Sequence, residues 1–274
     1  MKKTENFFVI SNYNTDPSYL LDYCKDYIVY DQSDKNTFDV SKTSLKFQIT
    51  QHTGHNITDY FKFFIDNYDN LPETIALIKG NIIGRHLSKA YFEKTYLNQY
   101  YTFLYNDEDI KATGKKDVYF LASESEFLEI NNSWYVAHHP HKYFGSFNQL
   151  LNFIYQKPVV PEYCLFAPGA CYIISKHQVL KHTKEFYINL NKILGYTLDP
   201  KFPSEAHQIE RMLHTIYTCN YEVHAYMNNE QLFDLELDKK VSEKGEVLPK
   251  NIILRKIKKL VQKNNVFNSR YTNL

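Results

Sequence analysis

Glu210 is the residue whose type and spacing point most directly to chemistry. It lies in the run Ser204-Glu205-Ala206-His207-Gln208-Ile209-Glu210-Arg211-Met212-Leu213-His214-Thr215-Ile216-Tyr217. At about 100° per residue, Ala206, Ile209, Leu213, Ile216 and Tyr217 form one apolar stripe of a helix, and Glu210 falls roughly 40° from Ala206, at the edge of that stripe. A carboxylate facing inward is costly unless it is paired or working. Two readings follow: a partner for a core Arg or Tyr, or a general base whose proton affinity is set by burial. Arg211 projects nearly the other way and is expected to take no part in Glu210's task. His207 and His214 flank Glu210 on adjacent turns and could converge with it on a metal. The His-Glu-x-x-His spacing is absent, however, and no metal is expected there.

Other candidates are looser. Asn131 and Asn132 suit sugar hydroxyls, and Trp134 and Tyr135 suit ring faces; a turn followed by a strand with buried aromatics is the alternative. Asp107-Glu108-Asp109 has the letters of a metal-binding acidic motif, and through Asp107 and Asp109 it is the one place where Mn2+ or Mg2+ is considered. It opens a long charged loop. Lys79 and Arg85 follow a predicted strand and could face a diphosphate, or be solvated surface bases. His138, His139 and His141 share a Pro-containing loop, a weak metal candidate. No Gly-rich phosphate loop, Gly-x-Ser-x-Gly elbow or kinase signature is present.

The elements that must position these residues read as α/β. Phe7–Ile10 and Tyr27–Tyr30 are predicted strands, with a helix over 18–25 opened by Pro17. A strand, a helix and a strand in so short a span make a βαβ unit, hence a parallel sheet with helices on its faces. Ligands collect at the carboxyl ends of such strands, which puts Ser11, Asn12, Tyr13, Asn14 and Asp31 at the mouth of a site. Ile57, Tyr60, Phe61, Phe64 and Tyr68 recur at helical spacing, with Asn56 as N-cap and Asp59 near the positive helix end. Thr74–Ile78 is a third strand. Residues 85–105 read as helical with a tyrosine-rich face, although Tyr101–Tyr105 also fits a strand. Further expectations are strands at 118–121, 172–174 and 222–226 and helices at 175–180, 184–194 and 205–217.

Two sets of blocks carry a resemblance. One is Pro168-Gly169-Ala170-Cys171-Tyr172-Ile173-Ile174-Ser175, Phe186-Tyr187 and Glu210-Arg211-Met212-Leu213. The other is Gly54-His55-Asn56, Tyr60, Ile65, Tyr68-Asp69, Leu71-Pro72 and Lys79-Gly80. In order and spacing the chain resembles a family of glycosyltransferase-like domains formerly of unknown function, similar to the nucleotide-diphospho-sugar transferase (GT-A-like) fold. Its Glu-x-x-Leu element also resembles the Glu-x-x-Trp of metal-independent β-1,6-N-acetylglucosaminyltransferases. The resemblance implies a single α/β, GT-A-like (Rossmann-like) domain with a mixed, mainly parallel sheet, spanning 1–235, and Glu210 as catalytic base. Leu213 stands where those enzymes have Trp. It implies a nucleotide-sugar donor held by Ser11, Asn12, Tyr13, Asn14, Asp31, His55, Asn56, Lys79, Gly80, Asn81 and Arg85. A glycan or lipid-linked acceptor would meet Asn131, Asn132, Trp134, Tyr135, Gly169 and Ala170. Lys79-Gly80-Asn81 stands where the fold's Asp-x-Asp metal motif is expected and holds no carboxylate.

Composition bounds the rest. Lys and Arg total 32 against 31 Asp and Glu, so no global field attracts nucleic acid. Cys24, Cys164, Cys171 and Cys219 are scattered, none at the two-residue gap of a zinc or redox motif, and read as reduced core residues of a cytoplasmic protein. The start, Met1–Asn6, leads into fewer apolar residues than a signal-peptide h-region needs. No apolar run approaches the roughly 20 residues of a membrane span. Within 236–274, a basic appendage, Lys250, Arg255, Lys256, Lys258, Lys259 and Lys263 flank an apolar stripe from Ile252 to Val261, expected as a helix. Its fit is to an anionic membrane surface, placing the protein at the inner membrane face, or to a dock on the domain with its lysines in water.

Overall fold

Side-chain alternation along the strands creates two apolar layers. The computed structural model describes residues 2–34, 46–51, 54–106, 119–121, 127–138, 143–195 and 204–244. Nine strands are named in chain order: β1 (Phe7–Asn12), β2 (Tyr27–Asp31), β3 (Phe47–Ile49), β4 (Thr74–Lys79), β5 (Thr102–Phe103), β6 (Tyr119–Leu121), β7 (Phe127–Ile130), β8 (Tyr163–Phe166) and β9 (Tyr172–Ser175). The main sheet runs β3-β2-β1-β4-β9-β5, with the first four parallel and β9 antiparallel to both neighbours. Strands β6, β7 and β8 form a second, antiparallel sheet.

Val9, Ile75, Leu77, Tyr172 and Ile174 point to one face of the main sheet, and Phe8, Ile10, Ala76, Ile78 and Ile173 to the other. The central strands are therefore buried on both sides and read as continuous apolar runs. The helices are α1 (His55–Asp66), α2 (Lys89–Thr95), α3 (Phe147–Ile154), α4 (Lys176–Val179), α5 (Lys184–Leu194), α6 (Ser204–Thr218) and α7 (Glu230–Lys244). On the first face α1, α5 and α6 bury Tyr60, Phe61, Phe64, Tyr187, Leu190, Ile209 and Leu213. On the second, Leu20, Tyr23, Phe92 and Tyr96 pack together, the last three edge to face or stacked.

The α/β architecture is as expected, and so is the inward stripe of α6, since Ala206, Ile209, Leu213, Ile216 and Tyr217 are all buried. Several local expectations are corrected. The β1–β2 crossover is a short 3-10 helix, Ser18–Asp22, rather than an α-helix to residue 25. Helix α2 stops at Thr95, because Thr102 and Phe103 pair as an edge strand with β9. Residues 222–226 make only a single bridge, Val223 to Tyr155, before a 3-10 turn. Asn56 is not the N-cap of α1; Gly54, at φ 59°, takes that place, and Asn56 is buried inside the first turn. Asp59, near the positive end of α1 as expected, is wholly buried. Helix α7 runs through residue 235, where the sequence reading sets the domain's edge, and buries Phe233 and Leu237. The expected basic helix at 252–261 lies outside the described residues.

Candidate active site

Chain order reverses direction in the sheet between β1 and β4, since β2 and β3 lie on one side of β1 and β4 on the other. A crevice opens outside the carboxyl ends of strands at such a switch point. The cleft found there is lined by Ser11, Tyr13, Gln32, His55, Asn56, Lys79, Asn81 and Arg85. Two backbone approaches shape it. Gly80 donates its N–H to the Ser11 carbonyl at 2.8 Å. A side chain at Gly80 would start 2.3 Å from Asn12 Oδ1, so only glycine lets the β4 end close on β1.

The floor is built around Asp59. Its Oδ2 accepts from Ser11 Oγ at 2.5 Å and Gln32 Nε2 at 2.7 Å, and its Oδ1 from Thr50 Oγ1 at 2.8 Å. Ser11 ends β1, and Gln32 and Thr50 follow β2 and β3. One carboxyl on α1 thus gathers three parallel strand ends. Burial pushes its pKa from the ordinary 3.8 up to about 7, even though all three hydrogen bonds act the other way.

Asn12 has no exposed surface. Its Nδ2 donates to the Thr15 carbonyl and Asp31 Oδ1, and its Oδ1 accepts from Thr15 Oγ1, so it braces the loop after β1. Asp31 also accepts from Ser33 Oγ at 2.6 Å. Asn14, in the left-handed region at φ 53°, donates to Asp34 Oδ1, as Tyr13 does to Asp34 Oδ2. Of the strand-end residues expected to meet a ligand, Ser11 and Tyr13 line the cleft, while Asn12, Asn14 and Asp31 shape the loops beside it.

Glu210 does not itself line the cleft but is tied to its wall through a tight turn before β9. Gly169 N donates to Glu210 Oε1 at 2.7 Å, and the Gly169 carbonyl accepts from Asn56 Nδ2 at 2.8 Å. Gly169 and Ala170 have φ of 92° and 56°, which turns that peptide toward both partners. The His207 ring lies 5.9 Å from that of His55 in the cleft wall. Arg211 is corrected: its long side chain folds back, donating from Nη1 to Glu210 Oε2 at 2.6 Å and from Nε to Glu129 Oε2 at 2.8 Å. Its guanidinium also covers the Phe166 ring at 4.5 Å. Burial alone would raise the Glu210 carboxyl. Arg211, Lys79 and His207, with the Gly169 N–H, outweigh it and hold the group below the usual range. Glu210 is therefore ionised at neutral pH, and its side chain keeps 18% of its surface exposed.

His86, which sequence spacing did not single out, stands on the other side of Gly169. A Cβ at Gly169 would lie 2.8 Å from its Nε2. That Nε2 is buried without a hydrogen-bond partner among the described residues. Burial, then Lys79, pulls its pKa down to about 4, so the ring is neutral. Lys79 and Arg85 make no ion pair among the described residues.

Of the remaining candidates, those whose side chains are described do not converge here; the side chains of Tyr135 and His138 lie outside that description. Asn131 donates to Asn148 Oδ1 and the Pro161 carbonyl, and Trp134 is 55% exposed; neither residue nor Asn132 lines the cleft. His214 turns away to Tyr101 and stacks on Phe103. Among the described residues no three His, Cys, Asp or Glu side chains are grouped to hold a metal ion. Asp107, Asp109, His139 and His141 lie outside the described residues. Cys24, Cys164 and Cys171 are buried free thiols, and Cys219 is half-buried and free. No described helix is long and apolar enough to cross a membrane.

A family profile described as Protein of unknown function (DUF3431) matches residues 9–231. No curated protein and no solved structure matches the chain.

Proposed function

The chain belongs to the DUF3431 family of proteins of unknown function, and we propose that it is a glycosyltransferase that takes a sugar from a nucleotide-sugar donor to a glycan or lipid-linked acceptor. The observation that carries the reading is a juxtaposition at the sheet's switch point. Lys79 and Arg85, two cations with no ion pair among the described residues, line the cleft, and behind its Asn56 wall the Gly169 peptide holds an ionised carboxylate, Glu210, near enough for Lys79 to lower its pKa. The cations suit a diphosphate leaving group, whose charge grows as the glycosidic bond breaks. Glu210 accepts one hydrogen bond on each oxygen and has further lone pairs, so it can take a proton from an acceptor hydroxyl brought to it. The resemblance around Glu210-Arg211-Met212-Leu213 supports the same role. The Gly169–Ala170 turn and His86 would border the reacting sugar. The basic segment 250–263 would bring the enzyme to an anionic membrane carrying the acceptor.

The pairing of Glu210 with Arg211 also favours a second reading, a noncatalytic nucleotide- or glycan-binding module in which Glu210 is a structural partner. Slow donor hydrolysis separates the two. Incubation with a panel of uridine and guanosine diphosphate sugars should release nucleoside diphosphate if the protein is a transferase. Binding of a donor without any turnover identifies the module, and neither binding nor turnover rejects both.

A further inference from the structure

With Asp59 ionised, the cleft wall has a fixed hydrogen-bond polarity. Ser11 commits its only proton to Asp59. Gln32 commits both amide protons inward, one to Asp59 Oδ2 and one to the His55 carbonyl at 2.8 Å. Both partners are acceptors only, so the amide cannot be turned over. Asn56 likewise spends both protons, on the Gly169 carbonyl and on Tyr60 Oη at 3.0 Å. What these three cleft-lining side chains have left are oxygens without protein donors among the described residues: Ser11 Oγ, Gln32 Oε1 and Asn56 Oδ1. Lys79 and Arg85, in the same cleft, offer only donors. These five side chains therefore divide into a wall that only accepts hydrogen bonds and a cationic side that only donates.

We propose that Asp59 is a positioning residue that makes this wall an acceptor surface, so that the group held by Ser11, Gln32 and Asn56 must itself carry hydrogen-bond donors while its anionic end lies toward Lys79 and Arg85. This rests on the reading of the cleft as a donor site and deepens it. The matching chemistry is a nucleoside diphosphate whose ribose diol or base N–H faces the wall. Asp59 touches no ligand; it acts by taking the protons of Ser11 and Gln32. An asparagine in its place would keep its oxygen on Ser11 and Gln32 and turn its amide to the Thr50 hydroxyl, leaving the wall intact. A leucine of similar size has no acceptor, so Ser11 Oγ and one Gln32 N–H lose their partner and are free to turn a proton into the cleft.

The test is calorimetric titration at pH 8.5, where Asp59 is ionised. The probes are UDP and GDP, their 2′,3′-dideoxy forms, N3-methyl-UDP, N1-methyl-GDP and pyrophosphate, each with the full chain and with Asp59→Leu. Loss of a ligand donor opposite a buried acceptor is expected to weaken binding by about tenfold. Loss on removing the diol identifies the ribose as the donor, and loss on methylation identifies the base edge. Asp59→Leu should shrink that ratio toward unity while leaving pyrophosphate affinity unchanged, an effect that general loosening of the fold would not give. The proposal is overturned if every analogue binds within about twofold of its parent. It is overturned equally if pyrophosphate binds as tightly as UDP and GDP, although anion binding by the cleft would then stand. Absence of binding by all probes rejects the donor-site reading itself. Should Asp59→Leu fail to fold, the wild-type analogue series still decides whether the wall takes hydrogen-bond donors of the ligand.

Discussion

Replacing Asp59 by Asn tests the buried carboxyl through stability, independently of any ligand. Burial raises the Asp59 pKa from 3.8 to about 7 in the folded chain. The folded state therefore holds this proton more tightly than the unfolded chain. Asp59's contribution is fully present below pH 3.8 and is lost as pH rises through about 7. Each decade in that window is worth about 1.4 kcal/mol, about 4 kcal/mol in all. The substituted asparagine does not titrate, so the variant's stability relative to wild type should climb by about that amount between pH 4 and pH 8. His86 and His182 respond in the opposite sense below pH 6.5, because burial lowers both to about 4. Both proteins carry them, so they cancel in the difference. The assay is urea unfolding of both proteins at half-unit steps of pH, with the slope checked for constancy. A stability difference that does not change with pH would refute the reasoning, since Asp59 would then titrate alike in the folded and unfolded chain.

Three further outcomes are expected. Arg211→Met strands Glu129 and Glu210 beside an apolar group and should cost about 3–5 kcal/mol in urea unfolding, much of it recovered when Glu129→Gln is added. Gly169→Ala drives a methyl onto the His86 ring at a φ of 92° and should lower stability by about 1–3 kcal/mol, with melting and donor hydrolysis measured together to show turnover falling further than stability. Lys79→Ala and Arg85→Ala should each weaken nucleoside diphosphate binding by about tenfold in titration calorimetry while leaving the melting temperature unchanged, because neither side chain is in an ion pair among the described residues.

The sheet was legible because β1, β2, β4 and β9 are short apolar runs bounded by polar turns, and α5 and α6 keep a clear helical period. Elements whose identity depends on distant partners were not. Strands β5 and β8 exist because of β9 and β7, and nothing local marks Thr102–Phe103 as an edge strand. Helix α7 carries so many charges that its buried Phe233 and Leu237 do not stand out as a stripe. In the candidate site, the switch-point argument pointed to Ser11 and Tyr13, which line the cleft, and the stripe of α6 carries Glu210 at its edge. The burial of Asp59 was not legible, because helix position alone says nothing of the strand ends packed above it. Arg211 was misread because the direction of a Cα–Cβ bond does not fix the reach of a long side chain. His86 gave no spacing signal, since its burial depends on the bare Cα of Gly169, far along the chain.

The central claim is that Glu210 acts as the base of a glycosyl transfer in this cleft. The most direct measurement is steady-state release of nucleoside diphosphate from the donor that wild type hydrolyses, compared with Glu210→Gln. Gln keeps the size of the side chain, but its one oxygen can serve only the Gly169 N–H or Arg211 Nη1, and it cannot take a proton. A fall in turnover on the order of 10² to 10⁴ is expected, with donor KM nearly unchanged and a drop in melting temperature that leaves the protein folded under the assay. Wild-type turnover in Glu210→Gln, or a fall in stability that accounts for all of the lost activity, would contradict it.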